Sequence, residues 1–236
     1  MITIRSDMTS SLQIVKLETL RSQVENHLRA AIINGELPPG AKLIERELCE
    51  KMGVSRPSLR EALRKLEAEK LIVNVPHRGP EVTSLTLEDA SELYALRRLL
   101  ESYAAHEFTR LASDAQVAAL AQTVDKLRAA VKQNSRAGVL DAKSELYAIL
   151  LGGCGNRLVQ EILGGLLARV SLLRSTSLML PARLPRSMEE IDKLLQCIQA
   201  RDAKGAEKIS YKHVQNAEKA ALGVFKQHHQ STPNQP

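Results

Sequence analysis

Apolar residues recur every three or four positions over most of this 236-residue chain, the spacing that places them on one face of a helix. From Leu17 to Asn34 the apolar positions Leu20, Val24, Leu28, Ala31 and Ile32 line up this way, and Asn34-Gly35 supplies a stop. Leu37-Pro38-Pro39-Gly40 predicts a turn, with Leu43 ending a short strand. A second helix is predicted from Glu45 to Met52, with Gly53 in the turn after it. Ser55 reads as the N-cap of a third helix, which tolerates Pro57 in its first turn. On that third helix Leu59, Ala62, Leu63 and Leu66 share one face, while Arg56, Arg60 and Arg64 recur every fourth residue on the other.

After Lys70 the period changes. Leu71-Ile72-Val73-Asn74-Val75 and Glu81-Val82-Thr83 are β-prone, and Pro76-His77-Arg78-Gly79-Pro80 separates them, which predicts a β-hairpin with a Pro/Gly tip. From Thr86 to about Lys226 the helical period returns. A long helix starts at the Thr86-Leu87-Glu88-Asp89 cap and reaches about Leu111. Further segments fall near Asp114–Gln133, Val139–Leu151, Leu158–Met179, Ser187–Ala200 and Asp202–Lys226. The breaks hold Ser113, Gly138, Gly152-Gly153, Gly155-Asn156, Pro181 and Pro185. No repeat of fixed period is present. The expected fold is mainly α, an N-terminal winged helix-turn-helix followed by an antiparallel bundle of about six helices. Four segments follow from this: a loose arm over 1–11, the winged helix over 12–84, the helical domain over 85–229 and a polar, disordered tail over 230–236.

Composition narrows the class. The chain is 44% hydrophobic and 25% charged, enough for real cores. It has no uncharged apolar run of about 18 residues that would span a membrane. The first ten residues lack the basic-then-apolar layout of a secretory signal. Its 3 cysteines, Cys49, Cys154 and Cys197, are too few and too scattered for a disulfide framework, and both features suit a reducing cytoplasm. The net charge of +6 hints at an anionic partner, yet basic residues barely outnumber acidic ones before Ser84. Positive charge is instead local: within Arg56–Lys65 on the third helix, Arg56, Arg60, Arg64 and Lys65 stand against Glu61 alone.

A helix pair whose second member carries a stripe of arginines fits insertion into the DNA major groove. Arginine can clamp guanine bidentately or grip phosphate, and serine at a helix N-terminus can donate to phosphate beside free backbone amides. Which arginine reads bases stays open from sequence. The enzyme alternative lacks support: no nucleophile elbow, phosphate-cradling glycine loop, HExxH or paired Cys motif is present, nor the Glu-x-x-His pairs of a di-iron bundle. A helical adaptor with a vestigial helix-turn-helix is the other alternative.

Three stretches together resemble the GntR-type transcriptional regulators of the FadR-like branch, which carry a helical FCD-type ligand-sensing domain. They are Asn34-Gly35-Glu36-Leu37-Pro38-Pro39-Gly40-Ala41-Lys42-Leu43; Glu45-Arg46-Glu47-Leu48 with the run Gly53-Val54-Ser55-Arg56-Pro57-Ser58-Leu59-Arg60-Glu61-Ala62-Leu63; and the tip His77-Arg78-Gly79. The second domain resembles the family more loosely, through Arg97-Arg98-Leu99-Leu100-Glu101, Gly155-Asn156, Ala200-Arg201-Asp202 and His213. The resemblance implies a dimeric regulator, in keeping with a repressor, on a near-palindromic double-stranded operator. DNA contacts would come from Arg46, Ser55, Arg56, Ser58, Arg60 and Gly79, with His77 and Arg78 at the wing tip.

Many relatives with this helical domain hold a divalent metal through an aspartate and three histidines. By the family's spacings from Asn156 and Asp202, those positions are Lys143, Tyr147, Ile191 and His213 here. One imidazole cannot retain zinc, so no metal is expected. A two-residue slip, using Asp141 and Glu145 with His213, would make a poor oxygen-rich site. The resemblance implies instead a small carboxylate effector held by Arg97, Lys143, Tyr147 and His213, with Arg169 and Arg174 as further candidates. The alternative is that Lys143 reaches out to water and His213 is a satisfied interior histidine.

Overall fold

The computed structural model describes residues 20–177 and 183–230, except the side chains of 167–168, 174–177 and 224–230. The described residues form nine helices and one two-stranded sheet, in the order α1 (Leu20–Asn34), α2 (Glu45–Met52), α3 (Arg56–Ala68), β1 (Ile72–Val75), β2 (Gly79–Val82), α4 (Leu87–Leu111), α5 (Asp114–Lys132), α6 (Arg136–Gly153), α7 (Arg157–Ser177), α8 (Arg183–Gln199) and α9 (Ala203–Gln230). The predicted winged helix and six-helix bundle are both present. The arm over 1–11, the helix start at Leu17, the break at Pro181 and residues 231–236 of the tail lie outside the described residues, while Gln230, expected in that tail, is the last residue of α9.

Local signals set the first domain. Gly53 ends α2 at φ +64°, a left-handed conformation that most side chains resist, and its N–H caps the Cys49 carbonyl. Ser55 then caps α3 by accepting the Ser58 N–H. Val24, Leu28 and Ile32 of α1 meet Leu59, Ala62, Leu63 and Leu66 of α3, with Leu71, Ile72 and Val82 of the hairpin closing the core. Burying that α3 face turns the arginine face outward. Glu25 accepts from Arg29 of its own helix α1 at 2.7 Å and pairs across to Lys65 of α3 at 2.8 Å. Lys65, grouped from sequence with the positive stripe, therefore serves the domain's own packing.

The hairpin is tighter than expected, because Gly79 and Pro80 belong to β2 and pair with Val75 and Asn74. Proline fits there because its carbonyl turns away from β1 to accept the Leu43 N–H. Its missing N–H falls on that same side, so no bond between β1 and β2 is lost. The short strand ending at Leu43 is the bridge of Lys42 to Glu81 on that outer edge.

In the second domain α4 starts with a reciprocal cap. Thr86 Oγ1 accepts the Asp89 N–H and Asp89 Oδ2 accepts the Thr86 N–H, both at 3.0 Å. Phe108, Leu120, Leu127, Leu146 and Ile198 centre a core shared by α4, α5, α6 and α8. Gly153 is needed at the end of α6, where a Cβ would sit 2.6 Å from the Phe108 ring. Two helices begin earlier than their periodicity predicted. Ser135 caps α6 through the Gly138 N–H, so Gly138 lies in the first turn. Among the described residues α8 (Arg183–Gln199) already includes Arg183 and Pro185, so it is helical ahead of Ser187.

Arg201, in the tight turn between α8 and α9 at φ +57°, joins two corners of the bundle. Its Nη1 donates to the carbonyls of Ala112 (2.7 Å) and Thr109 (3.3 Å), which are orphans at the end of α4, and Nη2 donates to Asp114 Oδ1 (2.6 Å). Arg201→Ala is expected to lower stability by about 1–2 kcal/mol in denaturant titration, the cost of losing hydrogen bonds to a charged donor.

Candidate functional site

The amino-terminal site is the outer face of α3 with the start of α2 and the hairpin tip. Arg56, Arg60 and Arg64 are all exposed, as are Arg46, Ser55, His77 and Arg78, while Ser58 and Gly79 are half-buried. His77 at φ +63° and Gly79 at φ +84° fold the tip back sharply. These cations are not equivalent. Arg60 Nε donates to both oxygens of Glu45, at 3.0 and 2.9 Å. Arg78 pairs with Glu81 at 3.2 Å, and Arg46 lies a loose 3.7 Å from Glu50. Arg56 and Arg64 have no ion pair among the described residues. The face can therefore present several cations to a polyanion, and two of the three α3 arginines are free to reorient.

The second site lies inside the helical domain. Arg97 of α4 is 1% exposed, packs over the Tyr94 ring at 5.0 Å and donates through Nε to Glu101 at 2.8 Å. Burial disfavours its charge, yet Glu101 keeps the guanidinium charged and its pKa raised. Lys143 of α6, also buried, donates from Nζ to Ser187 Oγ of α8 at 2.7 Å. His213 of α9 shares Glu190 Oε2 with Arg183, at 2.6 and 2.9 Å, and Asn216 donates to the other Glu190 oxygen at 2.7 Å. Burial pushes His213 down to about 4, with the nearby Lys143 and Arg183 charges adding to the shift. The ring is thus uncharged at neutral pH and its Nδ1–H donates to Glu190. Burial alone would raise Glu190, but His213, Asn216 and the Arg183 charge hold it at about 2.

Arg97, Lys143, Tyr147 and His213, chosen from sequence, are all buried, on α4, α6 and α9. Electrostatic coupling joins Arg97 to Tyr147 and Lys143 to His213. Arg174 lies on α7 with its side chain outside the described residues. Arg169 instead reaches Asp89 at the start of α4. Lys143 does not reach water, which removes the reading in which it extends to solvent. Sequence reasoning missed Arg183, Ser187 and Glu190. Their signal was the spacing of four and three residues that shares a face with Ile191 and Leu194, obscured by placing the helix start after Pro185. Arg97 Nη1, Arg183 Nε and Arg183 Nη1 are buried with no hydrogen-bond partner among the described residues.

These residues do not fit a divalent metal. Lys143, held to Ser187, and Tyr147 stand at two of the family's ligand positions, Ile191 packs in the apolar core, and His213 is engaged with Glu190. The shifted alternative is not assembled either. Glu145 pairs with Lys126 on the surface, and exposed Asp141 lines a cleft of about 850 Å³ between α1, α6 and α7. No described helix is long and apolar enough to cross a membrane.

Residues 20–82 match the gntR family of bacterial regulatory proteins, and residues 92–216, more than half of the chain, match the FCD domain. The HTH-type transcriptional repressor RspR of Escherichia coli (strain K12) is 24% identical over 211 residues, spanning 88% of this chain and 91% of that one. The HTH-type transcriptional regulator YdhC of Bacillus subtilis (strain 168) is 28% identical over 142 residues, 60% of this chain and 63% of its own length. Among solved structures, a transcriptional regulator GntR from Rhodococcus sp. RHA1 superposes with a TM-score of 0.75 at 24% identity, covering 86% of this chain and 97% of that one. McbR/YncC of E. coli gives the same TM-score of 0.75 at 22% identity, covering 90% and 100%. The arginine-faced winged helix and the helical domain behind it thus have one explanation: this chain belongs to the gntR family of DNA-binding transcriptional regulators, in the group that carries an FCD domain, and it is not an enzyme.

Proposed function

We propose that the protein is a cytoplasmic repressor that binds a near-palindromic operator as a homodimer. In this reading Arg46, Ser55, Arg56, Ser58, Arg60, His77, Arg78 and Gly79 meet the DNA. A small organic acid bound among α4, α6, α8 and α9, without a metal, modulates that binding. The DNA half rests on the exposed arginine row of α3, held outward by the burial of Leu59, Ala62, Leu63 and Leu66. Paired half-sites multiply the modest discrimination of one winged helix, which favours a symmetric dimer. Its surface is an apolar patch on α4 and α7, where Leu99 and Leu158 are 64% and 67% exposed beside Tyr103 and Ile162. Substitution of Arg56 or Arg60 by Ala is expected to weaken binding to a library-selected operator about tenfold or more in gel shift. Undiminished binding by both variants counts against the assignment.

The effector half is carried by the unused N–H groups of Arg97 and Arg183. Buried donors lacking partners are costly, and a carboxylate would satisfy them with charge-assisted bonds. Around them Arg97, Lys143 and Arg183 outnumber Glu101 and Glu190, so the site carries net positive charge and takes an anion. A panel of mono- and dicarboxylates in thermal shift is expected to contain at least one stabilising acid, worth about 2.7 kcal/mol at a hundredfold excess over its Kd. Arg183→Ala should abolish that response. Stabilisation by no acid, or an unaltered response in Arg183→Ala, would contradict the site.

Acid should weaken the fold through the same residues. His213 has its ordinary value of 6.5 when unfolded and about 4 when folded, so between those values the unfolded chain takes up a proton that the native one refuses. Stability is thus expected to fall as pH drops from 6.5 toward 4. Glu190, ordinarily 4.5 and here about 2, deepens the loss below pH 4.5. Denaturant titrations from pH 7 to 4 should show a shallower slope for His213→Gln.

A further inference from the structure

The acid beside the recognition helix has a role that its charge alone does not explain. Glu45 is the first residue of α2 and spends both carboxylate oxygens on one nitrogen, Arg60 Nε, across the turn. The two terminal nitrogens of Arg60 make no hydrogen bond among the described residues. A guanidinium is planar and rigid, so fixing Nε fixes the direction of the Nη1–Nη2 edge. That edge is the pair of parallel donors that matches O6 and N7 of guanine in the major groove. We propose that Glu45 is the positioning residue of the DNA interface: it holds Arg60 so that its free end reads a guanine. This rests on the reading of α3 as the DNA-contacting helix.

The three α3 arginines then divide their work. Arg56 and Arg64, free of ion pairs among the described residues, can follow the phosphates as the duplex fluctuates, which gives affinity without base preference. Arg60 is pre-ordered, so less side-chain freedom is lost when it docks, and the acid beside it disfavours an approach to phosphate. Water leaves the interface on binding and the pair then strengthens, since Coulomb attraction grows as the local dielectric falls. A negative charge at a polyanion-binding surface lowers general affinity for DNA. Held against an arginine it exchanges that affinity for discrimination, because a guanidinium aimed by a carboxylate is ill placed for any other edge.

Glu47 lies in the same first turn of α2, is exposed and makes no ion pair among the described residues, so it is the matched control for charge. The test selects bound DNA from a random duplex library with the full chain and its Glu45→Ala, Arg60→Ala, Glu45→Ala/Arg60→Ala and Glu47→Gln variants. It scores preference at each base pair and affinity for random-sequence DNA. Arg60→Ala is expected to lose preference for guanine at one position of the half-site. Glu45→Ala should lose about tenfold of the preference at that same position, the size of one bidentate base contact, while binding to random DNA holds or rises. The double variant should lose nothing beyond Arg60→Ala alone, and Glu47→Gln should keep the wild-type preference. Glu45→Gln gives the same comparison if the alanine variant does not fold. Unchanged preference in Glu45→Ala, a change at a different base pair, or an equal effect from Glu47→Gln would overturn the proposal. Should Arg60→Ala itself keep every preference, the DNA-contact reading of Arg60 fails, and the role of Glu45 with it.

Discussion

An arginine buried in a helical bundle cannot shed its charge, and the interior of the second domain is arranged around that constraint. Arg97 is almost wholly out of water, so a carboxylate has to be buried with it. Glu101, one turn along the same helix, is that carboxylate. The remaining interior charges follow the same logic, with Glu190 compensating Arg183 and His213 kept neutral between them. Replacing buried ion pairs by apolar groups of the same volume is often neutral or stabilising, so stability alone does not call for this cluster. Retaining such a cluster makes sense where the protein uses it.

The cluster is also connected to the rest of the molecule by direct packing. The Tyr94 ring lies under Arg97, and its hydroxyl donates to the Leu173 carbonyl of α7 at 3.3 Å. The neighbouring residue, Leu172, is buried in the core of the winged helix alongside residues of α1 and α3. Two successive residues of α7 therefore belong to different cores, Leu172 to the DNA-binding domain and Leu173 to the sensor domain. An effector bound at Arg97, as proposed above, would shift the placement of the winged helix only by binding one arrangement of these cores better than another.

The DNA-facing side obeys a simpler rule. Four apolar residues of α3 leave it no choice of orientation, and whatever lies opposite must face outward. Orientation of the helix does not orient its side chains, however. Among the three arginines on that face, the partners differ because α2 brings Glu45 to Arg60 and to neither of the others among the described residues.

The winged helix was legible because its signals act within a few residues: Gly53 and Ser55 cap adjoining helices, and the change of period after Lys70 marks the hairpin. The bundle's helix count was legible for the same reason. Its interior was legible only in part. Arg97, Lys143, Tyr147 and His213 could be placed by resemblance, whereas Arg183 and Glu190 were hidden by a proline that looked like a break and proved to lie inside α8. The chain alone thus determined which segments are helical, which face of α3 is buried and where positive charge gathers, because those depend on neighbours three or four residues away. Folding decided which polar groups meet across helices, from Glu45 with Arg60 to Lys143 with Ser187 and Glu190 with His213, since such pairs form between residues far apart in the chain that only packing brings within 3 Å or so.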